Sequence, residues 1–266
     1  MEGGMDKALA DDLMSVADAL ADAAREATLL HFRTDLTADN KEADRFDPVT
    51  VADRLSETRM REILAARRPH DGILGEEFGT TEGTSGLTWV LDPIDGTRSY
   101  LSGTPTWGVL IAVMDATGPI YGLIDQPYIG ERFMGGLGRA ELTGPLGRRV
   151  LKTRTARPLS DAILFTTFPE VGTLAERAAF DRVKAGAKLT RYGTDCYAYG
   201  LIAAGQIDLV IEAGLQAYDV QGPIAVIEAA GGVVTNWEGG KAHMGGRVLA
   251  AANPTIHAEA LALLNA

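Results

Sequence analysis

The hydrophobic rhythm of this chain changes once, near residues 150–158, and that change limits the folds open to it. Leu9, Leu13, Val16, Leu20, Ala24, Ala27 and Leu30 recur at steps of three and four, so the spacing predicts an amphipathic helix to about Phe32. A polar stretch over 34–48 breaks it. A second helix is expected over 53–66, with Leu55, Met60, Ile63 and Leu64 as its apolar face. Short β-type runs follow at 72–75, 88–92, 107–114, 120–124 and 132–134, punctuated by Gly and Pro as in an antiparallel sheet. The Gly/Arg-rich stretch 135–158 reads as irregular. Beyond it, strands at 162–166, 188–191, 207–212, 233–235 and 247–251 alternate with helices at 174–184, 197–204, 220–230 and 255–264. That alternation argues for an α/β lobe. The expected organisation is therefore an N-terminal lobe over 1–155 and a C-terminal α/β lobe over 156–266.

At 266 residues the chain exceeds the roughly 100–200 residues of a usual single core, so one large domain or two fused lobes is expected. With 46% hydrophobic and 23% charged residues, disorder, collagen and coiled coil are excluded. One cysteine makes no internal disulfide, and four scattered histidines supply neither a CxxC nor an HxxxH metal set. The expectation is a reduced, cytoplasmic protein. Residues 1–12 show no leader pattern, and no uncharged stretch approaches the ~20 residues that cross a bilayer. A formal charge of −11 is poorly suited to binding nucleic acid, which depends on neutralising phosphates with Lys and Arg. A cation must accompany any anion handled here.

The segment Trp89-Val-Leu-Asp92-Pro-Ile-Asp95-Gly96-Thr97 carries the sharpest signal. An apolar run ends in two carboxylates three residues apart, with Pro93 between them fixing φ near −65°. Such a turn can aim both carboxylates and the Ile94 carbonyl at one point, the oxygen-only set that hard divalent cations take. Gly96 and Thr97 can then open a helix whose amides receive a phosphate. The same residues also suit an Asp-rich turn with a helix cap. Gly75-Glu76-Glu77, Asp53 and Asp219 each have an equally plain reading, as a solvated loop or a cap. Together they weigh differently. Two carboxylates about 4 Å apart repel by roughly 4 kcal/mol at an effective dielectric near 20, so four converging would require bound cations.

Gly75-Glu76-Glu77, Trp89 to Thr97, and Tyr218-Asp219 followed by Glu228-Ala-Ala-Gly-Gly232 together resemble the inositol monophosphatase superfamily of metal-dependent phosphomonoesterases. The resemblance runs from about Lys41 to Gly232. It implies a layered α/β/α/β/α sandwich and a metal-activated water with two or three Mg²⁺ per site, Mn²⁺ being an alternative. By the same resemblance Glu76, Asp92, the Ile94 carbonyl, Asp95 and Asp219 are the expected metal ligands. Thr97 paired with Asp53 is the expected couple that orients the water, alongside Glu76. Gly96 and Thr97 would hold the phosphate, Lys41 and Asp47 would sit on a mobile metal-linked loop, and a homodimer is common in the family.

Other phosphatase chemistries lack their residues. Asp92 and Asp95 are three apart rather than the two of an aspartyl nucleophile, Ile202 stands where a cysteine phosphatase needs Arg, and no Arg-His-Gly or His-x-His occurs. Neither a Walker loop nor GxGxxG is present.

Within the superfamily, Phe32-Arg-Thr-Asp35, Phe46-Asp-Pro-Val-Thr50, Asp95-Gly-Thr-Arg98, Ser102-Gly-Thr-Pro-Thr-Trp-Gly108 and Arg191-Tyr-Gly-Thr-Asp-Cys-Tyr197 look most like the histidinol-phosphate phosphatase branch. Gln221-Gly-Pro223 departs from the usual pattern. L-Histidinol phosphate carries an ammonium and an imidazole, so Asp195 and Glu212 are the expected substrate carboxylates, with Arg98 nearby. Two alternatives stand: a phosphatase for inositol or other sugar and nucleotide monophosphates, and an inactive regulatory or binding protein on the same fold.

Overall fold

The computed structural model describes residues 5–35, 39–40 and 48–266. Its elements in chain order are α1 (Lys7–Leu29), β1 (Asp39–Asn40), β2 (Pro48–Val49), α2 (Val51–Arg67), β3 (Gly72–Gly75), β4 (Gly79–Thr81), β5 (Thr88–Asp95), α3 (Thr97–Leu101), β6 (Gly108–Asp115), β7 (Gly118–Gln126), β8 (Glu131–Gly136), β9 (Arg139–Gly144) and β10 (Gly147–Val150). After a 3₁₀ turn at Leu159–Asp161 come β11 (Ile163–Thr166), α4 (Leu174–Gly186), β12 (Leu189–Tyr192), α5 (Tyr197–Ala203), β13 (Leu209–Leu215), α6 (Ala217–Ala229), β14 (Val233–Asn236), β15 (Gly246–Ala251) and α7 (Pro254–Leu264). Among the described residues no helix is long and apolar enough to cross a membrane.

Two larger sheets organise the chain. The first has eight strands in the order β10-β9-β8-β7-β6-β5-β3-β4, and the second has five in the order β12-β11-β13-β15-β14. Neighbours in the first sheet are antiparallel, as the Gly/Pro punctuation predicts, except β3 and β5, which run parallel. In the second, β12, β11 and β13 are parallel and β15 reverses against both β13 and β14.

Three packed interfaces stack these sheets between helices. Leu13, Val16, Leu20 and Ala24 of α1 with Met60 and Leu64 of α2 cover one face of the large sheet, against Trp89, Ile111 and Tyr121. Its other face, through Leu110, Ile124 and Phe133, shares a core with α5, α6 and Val210, Val248 and Ala250 of the small sheet. Phe180 and Val183 of α4 with Ile256 and Ala260 of α7 close the far side. The order is α/β/α/β/α. Because α5 and α6 lie between both sheets, the two sheets share a common core.

Stretch 135–158 departs from its expected irregularity, since it holds β9 and β10. Its glycines make turns rather than a loop: Gly136, Gly138 and Gly147 adopt φ of 100°, 79° and 87° and let tight hairpins form. The first helix ends at Leu29, and Leu30 is exposed rather than on its buried face. Helix α6 approaches the large sheet backbone to backbone. A Cβ on Gly122 would stand 2.5 Å from the Gly222 carbonyl oxygen, and one on Gly135 would stand 2.4 Å from the Val226 Cα. That approach sets the position of Asp219 at the start of α6.

Candidate active site

Strand β5 delivers the first acidic pair. Its register against β6 slips between Asp92 and Asp95, so the backbone kinks where the two carboxylates emerge. Asp92 Oδ1 accepts the Ile94 amide at 3.0 Å, bracing the Pro93 turn. Asp95 accepts the Cys196 amide at 2.6 Å, which ties this turn to the start of α5. Asp219 stands in the first turn of α6, not before it as expected, and accepts the Gln216 amide at 2.7 Å. Carboxylate oxygens of Asp92, Asp95 and Asp219, 127 residues apart in chain order at the extremes, lie within 4.8 Å of one another.

Glu76 follows β3. Its amide donates to the Leu91 carbonyl at 3.1 Å, and its carboxyl is within hydrogen-bond reach of Asp92. A fully buried carboxylate that the sequence analysis did not identify holds this turn. Glu57 accepts the Glu77 amide at 2.7 Å, the Phe78 amide at 3.2 Å and Arg61 Nε at 2.7 Å. Only the Glu57/Arg61 spacing of four is visible in sequence, and it equally describes a solvated helix face.

Electrostatics agree with an ion-binding cluster. Burial holds the carboxyl of Asp92 well above the usual range, with Glu76, Asp95 and Asp219 adding like-charge repulsion. Asp95 is raised likewise, by burial and then by Asp195 and Asp219. An all-oxygen donor set this crowded fits Mg²⁺ or Mn²⁺.

Thr97 and Asp53 do not form the expected pair. Thr97 opens α3 and turns its hydroxyl back to donate to the Ile94 carbonyl at 3.2 Å. Asp53 sits in the first turn of α2, where its Oδ2 accepts the Thr50 amide at 2.8 Å and the Thr50 hydroxyl at 2.6 Å. Thr50 holds Oδ2 of Asp53 in a capping box, the reading as a cap that the sequence also allowed. Asp53 Oδ1 remains buried with no hydrogen-bond partner among the described residues. Burial pushes the Asp53 carboxyl up to about 7, against the lowering effect of Thr50.

A cavity of about 590 Å³ is lined by Glu76, Asp92, Ile94, Asp95, Gly96, Thr97 and Asp219; Asp53 does not line it. The lining also includes Arg98, Thr167, Phe168, Glu170, Asp195, Tyr199 and Glu212. The Arg98 guanidinium lies over the Phe168 ring, 5.0 Å from its centroid. Asp195 Oδ2 accepts the Ser99 hydroxyl at 2.5 Å. Glu212 is more engaged than a substrate-facing group was expected to be. It accepts the Thr167 amide at 3.0 Å, the Thr167 hydroxyl at 2.5 Å and the Tyr199 hydroxyl at 2.7 Å. Lys41 and Asp47 lie outside the described residues.

Against this geometry, the model of the inositol monophosphatase family matches residues 9–266. The chain belongs to the inositol monophosphatase family. It is 42% identical over 231 residues to the chloroplastic bifunctional phosphatase IMPL2 of Arabidopsis thaliana, covering 86% of this chain and 65% of that one. The chain thus spans just under two thirds of that relative's length. A histidinol-phosphatase of Mycobacterium tuberculosis is 34% identical over 260 residues, covering 96% of this chain and 98% of its own. Among solved structures, an inositol monophosphatase from Zymomonas mobilis superposes with a TM-score of 0.85 at 36% identity, covering 96% and 98% of the two chains.

Proposed function

We propose that this family member is a divalent-metal-dependent phosphomonoesterase and that its preferred ester carries a cationic alcohol, L-histidinol phosphate being the substrate. Asp92, Asp95 and Asp219, with Glu76 and the Ile94 carbonyl, would hold Mg²⁺. When bound, Mg²⁺ supplies charge neutralisation at the phosphate and a water acidified for attack at phosphorus. The remaining work falls to the chain. Gly96 and Thr97 amides receive phosphate oxygens, and the Thr97 hydroxyl and the Ile94 carbonyl are held together beside them. Glu76 and Asp92 are close enough to share a proton. Asp53, with an unpartnered Oδ1 and a carboxyl titrating at about 7, can take up or return a proton near neutral pH.

One observation carries the substrate reading: a further carboxylate, Asp195, lines the cavity beside Gly96. A cationic nitrogen on the alcohol gains from that charge, whereas a polyol has only hydroxyls to offer it. Similarity to the Mycobacterium histidinol-phosphatase over nearly the whole of both chains supports the same substrate. The Zymomonas inositol monophosphatase favours a second reading, a sugar-phosphate substrate.

Phosphate release from L-histidinol phosphate, inositol 1-phosphate and a nucleoside monophosphate, at matched concentration with Mg²⁺, tests these readings. The proposal expects EDTA-sensitive turnover with the histidinol ester preferred. A clear preference for inositol 1-phosphate would support the second reading, and no EDTA-sensitive turnover of any ester would support a binding or regulatory protein.

A further inference from the structure

Asp195 is held by contacts that a metal site alone does not call for. Its backbone adopts φ of 44°, a left-handed conformation that costs a non-glycine residue energy. Its carboxyl carbon packs where a side chain on residue 96 would begin: a Cβ on Gly96 would lie 2.7 Å from Asp195 Cγ. Ser99 donates its hydroxyl to Asp195 Oδ2 at 2.5 Å. Thr106 Oγ1 lies 3.3 Å from the same oxygen, 3.1 Å from Ser99 Oγ and 3.3 Å from the Gly193 carbonyl. A carboxylate kept merely to cap α5 would turn to the amides of that helix. Instead Cys196 occupies the capping position, and only the Asp195 main-chain carbonyl serves the helix, by accepting the Ala198 amide at 3.2 Å.

Both hydroxyls converge on Oδ2. Hydroxyl donors orient a carboxylate without neutralising it, so its charge stays available to a ligand. We infer that Ser99 and Thr106 are positioning residues for substrate selection: by fixing Oδ2 above Gly96 they present Oδ1 of Asp195 to a cationic nitrogen in the alcohol of the ester. The inference rests on the cationic-ester reading given above and extends it to two residues that need not touch substrate.

The test compares wild type, Ser99→Ala, Thr106→Val and Ser99→Thr, using L-histidinol phosphate and inositol 1-phosphate with saturating Mg²⁺. In Ser99→Ala the ratio of kcat/KM for the cationic over the neutral ester falls about tenfold, expressed mainly in KM. Thr106→Val, losing the longer contact, lowers the ratio less, and Ser99→Thr, which keeps a hydroxyl, restores it. Calorimetric affinity for L-histidinol, which has no phosphate, falls with the same ordering. If Ser99→Ala lowers both esters equally, the pair merely supports the site and the inference is overturned. A wild type that prefers the cationic ester, with Ser99→Ala retaining that preference, overturns this inference alone. A wild type without the preference removes the underlying reading as well.

Discussion

Gly75 and Glu57 show how closely the acidic turn is fitted. A Cβ on Gly75 would stand 2.0 Å from Glu57 Oε1, so no side chain fits while Glu57 holds the turn that carries Glu76. Glu57→Ala leaves the Glu77 and Phe78 amides and Arg61 without their buried acceptor, which should cost about 3 kcal/mol of stability. Urea unfolding checks that value, and isothermal titration with Mg²⁺ should show weakened affinity because Glu76 loses its support. Gly75→Ala should do the same; unchanged Mg²⁺ affinity in both variants would contradict this role. The Asp92–Asp95 turn was legible because its residues are neighbours in sequence. Glu57 was not, since its partners lie some twenty residues away and its own sequence neighbourhood looks like a solvated helix. The Thr97–Asp53 pair is not formed: Thr97 turns to the Ile94 carbonyl, and Thr50, three residues before Asp53, holds its Oδ2 in the cap that the sequence equally allowed.

Helix α6 carries the same logic at the scale of elements. Asp219 reaches the cluster only because α6 lies directly on β7 and β8, with Gly122, Gly135 and Gly222 removing the side chains that would hold it off. Gly122→Ala pushes against main-chain atoms, which cannot swing aside as a side chain can, so destabilisation of roughly 1–3 kcal/mol is expected. Thermal unfolding measures that loss, and Mg²⁺ affinity should fall with it as Asp219 is displaced. Loss of stability with full metal affinity would mean that α6 adjusts without moving Asp219. Glycines also explain where element prediction went astray. In the stretch over 135–158 they signalled irregular chain, yet Gly136, Gly138 and Gly147 serve hairpin turns and Gly135 serves close packing. Composition alone cannot separate a glycine that breaks a strand from one that lets a strand be approached.

For the whole molecule, the mixed α/β class was legible in the sequence, but not that α5 and α6 would be packed between the two larger sheets. That shared core brings Asp219 to Asp92 and Asp95 and concentrates buried acid at the junction. Its consequence is a pH dependence. Asp53 is raised to about 7, and Asp92, Asp95 and Asp195 are raised as well, all chiefly by burial. A carboxyl with a raised folded-state pKa stabilises fully below its unfolded value and loses that contribution as pH climbs through the folded value. His257, lowered by burial, acts oppositely but only below its ordinary 6.5. Metal-free protein should therefore melt at lower temperature at pH 8 than at pH 6.5, and Asp53→Asn should flatten that slope. Saturating Mg²⁺ should raise the melting temperature more at pH 8 than at pH 6.5.

Anomalous diffraction from crystals grown with Mn²⁺ and phosphate addresses the metal centre directly. The expected result is Mn²⁺ peaks bounded by oxygens of Glu76, Asp92, Asp95 and Asp219, with phosphate against the amides of Gly96 and Thr97. Peaks elsewhere, or none at saturating Mn²⁺, would contradict it.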